Sequence, residues 1–146
     1  MTTSKTRQEV YDKFDGHCAY CGERIPICKM QVDHIIPQSL LHEGIIPENR
    51  IEVINKCWNQ TYEITGIVKE LNEINNLMPS CRKCNFYKSS FTISTFRNNM
   101  KTIHERLRKP FIFKLAEKYG IVEVKEWDGL FYFEKLKEEV GIDKTY

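Results

Sequence analysis

Four of the six cysteines form two C-x-x-C pairs, Cys18/Cys21 and Cys81/Cys84. Two such pairs supply the four thiolates that close a tetrahedron around Zn²⁺. The pairs are far apart in the chain, so the metal would join segments distant in sequence and stabilise a small fold by doing so. Four cysteines leave no open coordination position, so the zinc is expected to be structural. Cys28 and Cys57 have no partner at ligand spacing and read as core residues. Between the pairs stands Val32-Asp33-His34-Ile35-Ile36-Pro37. Asn76-Leu77-Met78-Pro79 precedes the second pair, and Asn85 and Lys88 follow it. A carboxylate such as Asp33 is a hard oxygen donor suited to Mg²⁺ or Mn²⁺. An imidazole such as His34 titrates near pH ~6.5 when unperturbed and can serve as a general base.

In order, the chain reads C-x-x-C, D-H-I-I-P, then N-L-x-P-x-C-x-x-C-N-x-x-K. Over roughly residues 8–97 this closely resembles the HNH endonucleases, in particular the zinc-containing group found in bacteriophages and prophages. The resemblance implies a ββα-metal fold, in which a two-stranded hairpin and a helix grip one catalytic ion. It implies hydrolysis of a DNA phosphodiester to 5′-phosphate and 3′-hydroxyl ends. It assigns His34 as general base, Asp33 as a ligand of the catalytic Mg²⁺ or Mn²⁺, and Asn76 as the residue that fixes the loop bearing the base through backbone hydrogen bonds. Asn85 occupies the position that is usually histidine in the family. The amide oxygen found here favours Mg²⁺.

Asp33 and His34 are adjacent, and adjacent residues on a regular strand point to opposite faces. Both serve one site only if the backbone departs from regularity there. Consecutive helical residues are rotated by about 100°, so Cys84 can face the zinc while Asn85 faces the catalytic ion. Lys88 lies one turn beyond Asn85, within reach of a phosphate. Arg82 and Lys83 are further candidate phosphate contacts.

Formal net charge is only +2, but its distribution is uneven. Residues 82–118 hold ten basic side chains against two acidic ones, while the segments on either side are net acidic. A localised positive stripe is the electrostatic footprint of a polyanionic partner. Arg97 and Lys101 belong to it.

The positioning elements follow from pattern. Residues 4–14 read as an amphipathic helix with Val10, Tyr11 and Phe14 on its apolar side. Residues 30–36 read as a strand closed by Pro37, and 76–79 as a second strand. Residues 38–75 read as an insertion with helical pieces near 49–58 and 67–74. A helix is expected over 82–89. A basic amphipathic helix is expected over 92–109, placing Phe96, Ile103 and Leu107 on one face, and Pro110 breaks it. A further helix should end at Gly120. Residues 121–133 read as a β-hairpin turning at Asp128-Gly129, with a last helix running to about Val140. The expected architecture is α+β: a nuclease core over 1–91 and a helical and hairpin extension over 92–146 packed on it.

No stretch approaches the ~18 uninterrupted apolar residues of a membrane span, and residues 1–12 lack an apolar h-region. A cytoplasmic setting is expected, with DNA as partner and no small-molecule cofactor. Two rivals to the nuclease are a non-catalytic zinc module that binds nucleic acid and an interaction subunit of a phage or restriction complex.

Overall fold

The segment Gln31–His34 forms β1 and pairs antiparallel with β2, Leu77–Ser80, in the register Gln31↔Ser80 to His34↔Leu77. The computed structural model describes residues 4–37 and 74–139. Among the described residues these are the only two strands, and the chain is a mixed α+β structure. Every side chain of β2 is buried. Pro79 is tolerated because the sheet has only two strands and needs no full ladder on both edges.

Helices flank this ribbon. α1 (Ser4–Asp12) packs on β2. It is strapped down by Arg7, which donates to the carbonyls of Ile27 and Met30, and by Lys13, which donates to the carbonyls of Ile74 (2.9 Å) and Leu77 (2.6 Å). A single 3₁₀ turn, Ile74–Asn76, leads into β2. α2 (Arg82–Lys88) follows β2 after one residue and packs against β1. Next come α3 (Ile93–Lys101), α4 (Ile103–Leu107), α5 (Phe111–Lys118) and α6 (Tyr132–Glu139).

Thr92 caps α3 by accepting from the Thr95 N–H at 3.2 Å. The helix expected over 92–109 is two helices divided at Thr102, whose hydroxyl bonds back to the Asn98 carbonyl. Such back-bonding competes with the regular ladder. Phe96 is buried on the expected apolar face, but Leu107 remains about half exposed.

The hairpin expected over 121–133 is absent. Asp128 Oδ1 accepts from the Leu130 N–H (3.0 Å) in a local turn, and Gly129 adopts φ +86°. The strand-like residues after the turn bond elsewhere. The N–H groups of Tyr132 and Phe133 donate to the carbonyls of Tyr20 and Ala19. Glu134 then accepts from the Phe131 N–H, and the chain turns into α6. Phe131 and Phe133 are buried with Tyr20 and Phe96 in one aromatic cluster. That cluster fastens the C-terminal segments to the first cysteine turn. Residues 38–73, with Cys57 and the helical pieces expected there, lie outside the described residues. Cys28 is exposed in the loop before β1, not in the core.

Candidate metal centre

The first cysteine pair sits in a tight loop closed by a bridge between His17 and Arg24. The Cys18 N–H donates to the Glu23 carbonyl at 2.8 Å, and the Gly22 N–H donates to the Cys18 carbonyl at 2.9 Å. Gly22 takes φ +75°, and a Cβ there would stand 2.9 Å from the Tyr132 ring. Both the turn and the close approach therefore favour glycine. The second pair opens α2, with Cys81 as its N-cap accepting from the Cys84 N–H. The first turn docks on β2 just ahead of the second: the Ala19 N–H donates to the Pro79 carbonyl at 2.9 Å.

The result is a cluster of four thiols, Cys18, Cys21, Cys81 and Cys84, whose Sγ atoms lie within 4.8 Å of one another. Cys21 and Cys81 are 3.9 Å apart, sulfur to sulfur. A tetrahedron with Zn–S bonds of about 2.3 Å has edges of about 3.8 Å, so the residues fit a zinc ion. The Cys81 N–H also donates to Cys18 Sγ at 3.3 Å, as expected around a thiolate. The thiols share negative charge unequally. A hydrogen bond from Cys84 pulls Cys18 down, the same contact pushes Cys84 up, and burial pushes Cys21 up. A bound cation would remove this competition by holding all four as thiolates.

β1 is tied to the first cysteine turn through Asp33 and Tyr20. Asp33 is 7% exposed, and its Oδ2 meets the ammonium of Lys88 at 2.9 Å and the hydroxyl of Tyr20. Burial, then the charge of Asp33, raises the Tyr20 phenol well above its usual range, so Tyr20 is the donor. Sequence reasoning misses Tyr20. It lies inside the first C-x-x-C, and nothing in its local pattern announces a contact thirteen residues away.

Lys88 departs from its expected place. It is fully buried, and its Nζ also donates to the His34 carbonyl at 2.9 Å. Its amine is committed inside the molecule, because α2 packs on β1 and aims residue 88 at the carboxylate. Arg97 departs similarly. Its guanidinium grips Glu134 (2.8 Å to Oε2), donates to the Gly129 carbonyl, and lies 5.0 Å from the Phe131 ring centre. Arg82, Lys83 and Lys101 remain exposed.

His34 ends β1, partly buried. The strand is regular through residues 33 and 34, so the two side chains leave on opposite faces. The backbone irregularity that would turn both toward one ion does not occur within β1. Beyond His34 the chain is clasped by Asn76, which is 1% exposed. Asn76 Oδ1 accepts from the Ile36 N–H at 2.8 Å, its amide donates to the Ile36 carbonyl at 3.3 Å, and its own carbonyl accepts from the Ile35 N–H at 2.9 Å. Asn85 sits on α2, three residues before Lys88 and therefore on the same side of the helix. Its amide makes no hydrogen bond among the described residues.

Among the described residues no helix is long and apolar enough to cross a membrane. No family model matches the chain, and comparison with curated proteins and with solved structures finds no match.

Proposed function

We propose that the protein is a metal-dependent DNA endonuclease of the HNH type, with a structural zinc at the four cysteines and a Mg²⁺- or Mn²⁺-assisted hydrolytic centre around Asp33 and His34. The observation that carries this reading is the immobilisation of His34. Its backbone pairs with Leu77, its carbonyl takes the Lys88 ammonium, and the two residues after it are bonded to Asn76. A partly exposed histidine whose backbone is held this firmly, next in sequence to a buried carboxylate, is a pre-organised position from which a general base can act.

In this reading His34 takes the proton from the attacking water, and Asn76 holds the turn that carries it. Asp33 and Asn85 offer oxygen ligands, from β1 and from the face of α2 that packs on it. A divalent cation held there supplies positive charge to the scissile phosphate and the leaving oxygen. Arg82, Lys83 and Lys101 are free to meet the phosphate backbone.

A second reading also has an observation behind it. Lys88 already neutralises Asp33, and residues 33 and 34 face apart. The same scaffold would then be a zinc-stabilised module that binds nucleic acid without cutting it. Supercoiled plasmid incubated with Mg²⁺ or Mn²⁺ separates the two. The nuclease nicks or linearises it, and His34→Ala abolishes this while keeping the zinc content. Binding without cleavage in every metal tested would favour the second reading.

A further inference from the structure

Asp33 distributes its contacts unevenly between its two oxygens. The Tyr20 hydroxyl and the Lys88 ammonium both engage Oδ2, and no hydrogen bond reaches Oδ1 among the described residues. A carboxylate buried to this depth ordinarily uses both oxygens. One oxygen anchored and the other unspent is the pattern of a metal-ligating carboxylate, whose outer-shell partners fix its orientation. The anchor has a specific origin. Tyr20 lies between Cys18 and Cys21, in the turn that supplies half of the thiol cluster, and its ring is wedged edge-on against Phe96, Phe131 and Phe133. Neither its ring nor its backbone can move without disturbing that cluster.

We propose that Tyr20 is a positioning residue that transmits the geometry of the four-cysteine turn to the Asp33 carboxylate, presenting Oδ1 to a divalent cation while Lys88 holds Oδ2 from the other side. The proposal rests on the reading of Asp33 as a cation ligand and adds the device that orients it. Tyr20→Phe keeps the aromatic packing and removes only the hydroxyl.

The test is Mn²⁺ binding to the full, zinc-loaded chain without DNA, followed by loss of the free-ion EPR signal, for wild type, Tyr20→Phe and Asp33→Asn. Tyr20→Phe should stay folded and retain its zinc, yet need about tenfold or more Mn²⁺ for half-saturation, the usual cost of losing an outer-shell partner. Unchanged Mn²⁺ affinity in Tyr20→Phe, with Asp33→Asn defective, would overturn the role of Tyr20 and leave the nuclease reading standing. A wild-type protein that binds no Mn²⁺, or an Asp33→Asn protein that binds it normally, would overturn both. If Tyr20→Phe loses its zinc, the unaltered protein decides. The buried Tyr20 hydroxyl proton, observed by NMR, should shift as Mg²⁺ is added, and a resonance that stays fixed while Mg²⁺ binds would refute the coupling.

Discussion

Replacing Lys88 by methionine should destabilise the protein by about 3–5 kcal/mol, the cost of stripping one partner from a buried ion pair. The structure sets that scale. The Lys88 and Asp33 side chains are 1% and 8% exposed, and Nζ lies 2.9 Å from Oδ2. Methionine nearly fills the same volume, so the loss is electrostatic and not a cavity effect. Asp33 would keep only the Tyr20 hydroxyl, and the His34 carbonyl would lose its donor. Against a total stability of about 5–15 kcal/mol for a domain of this kind, that is a large fraction. Urea denaturation followed by tryptophan fluorescence, on zinc-loaded protein, measures it. Asp33→Asn should also destabilise, and the double variant should be less unstable than the two single costs together, because neither charge is then left alone. The surface role expected from sequence gives a contrasting result: an exposed lysine that meets phosphates should change stability by less than about 0.5 kcal/mol. A Lys88→Met protein as stable as wild type, or costs that add without coupling, would refute the buried pair.

Three other outcomes follow from the same geometry. Cys84→Ser should reduce bound zinc below one equivalent by metal analysis and lower the melting temperature, since three thiolates no longer close the tetrahedron; full zinc occupancy in this variant would argue against the cluster. Arg97→Met should cost about 2–4 kcal/mol in urea denaturation, because Glu134 is 4% exposed and would be left without its cation, while the salt dependence of DNA binding stays unchanged. Combined replacement of Arg82, Lys83 and Lys101 by alanine should leave stability within about 0.5 kcal/mol and flatten the salt dependence of the proposed DNA binding, by about 0.9 in log–log slope for each phosphate that is no longer neutralised; an unaltered slope would count against these three as phosphate contacts.

The local pattern of the chain determined its ligand set and most of its elements. Cysteine spacing identified the four thiols, because each C-x-x-C is a short turn that delivers two sulfurs together. Branched residues before Pro37, and Gly120 after α5, marked strand and helix limits from neighbours alone. What the tertiary structure decided were choices between partners distant in sequence. Residues 121–133 have hairpin chemistry, but the backbone of Tyr132 and Phe133 found better partners in Ala19 and Tyr20. Arg97 and Lys88 carry the same charge as their exposed neighbours; packing placed buried carboxylates beside them, and desolvation there makes pairing obligatory. Tyr20 has no local signature for its bond to Asp33, because that bond exists only once the thiol turn has docked on the Pro79 carbonyl of β2. Periodicity and spacing report on a residue's own segment, and the pairing of buried charges depends on which segments fold against each other.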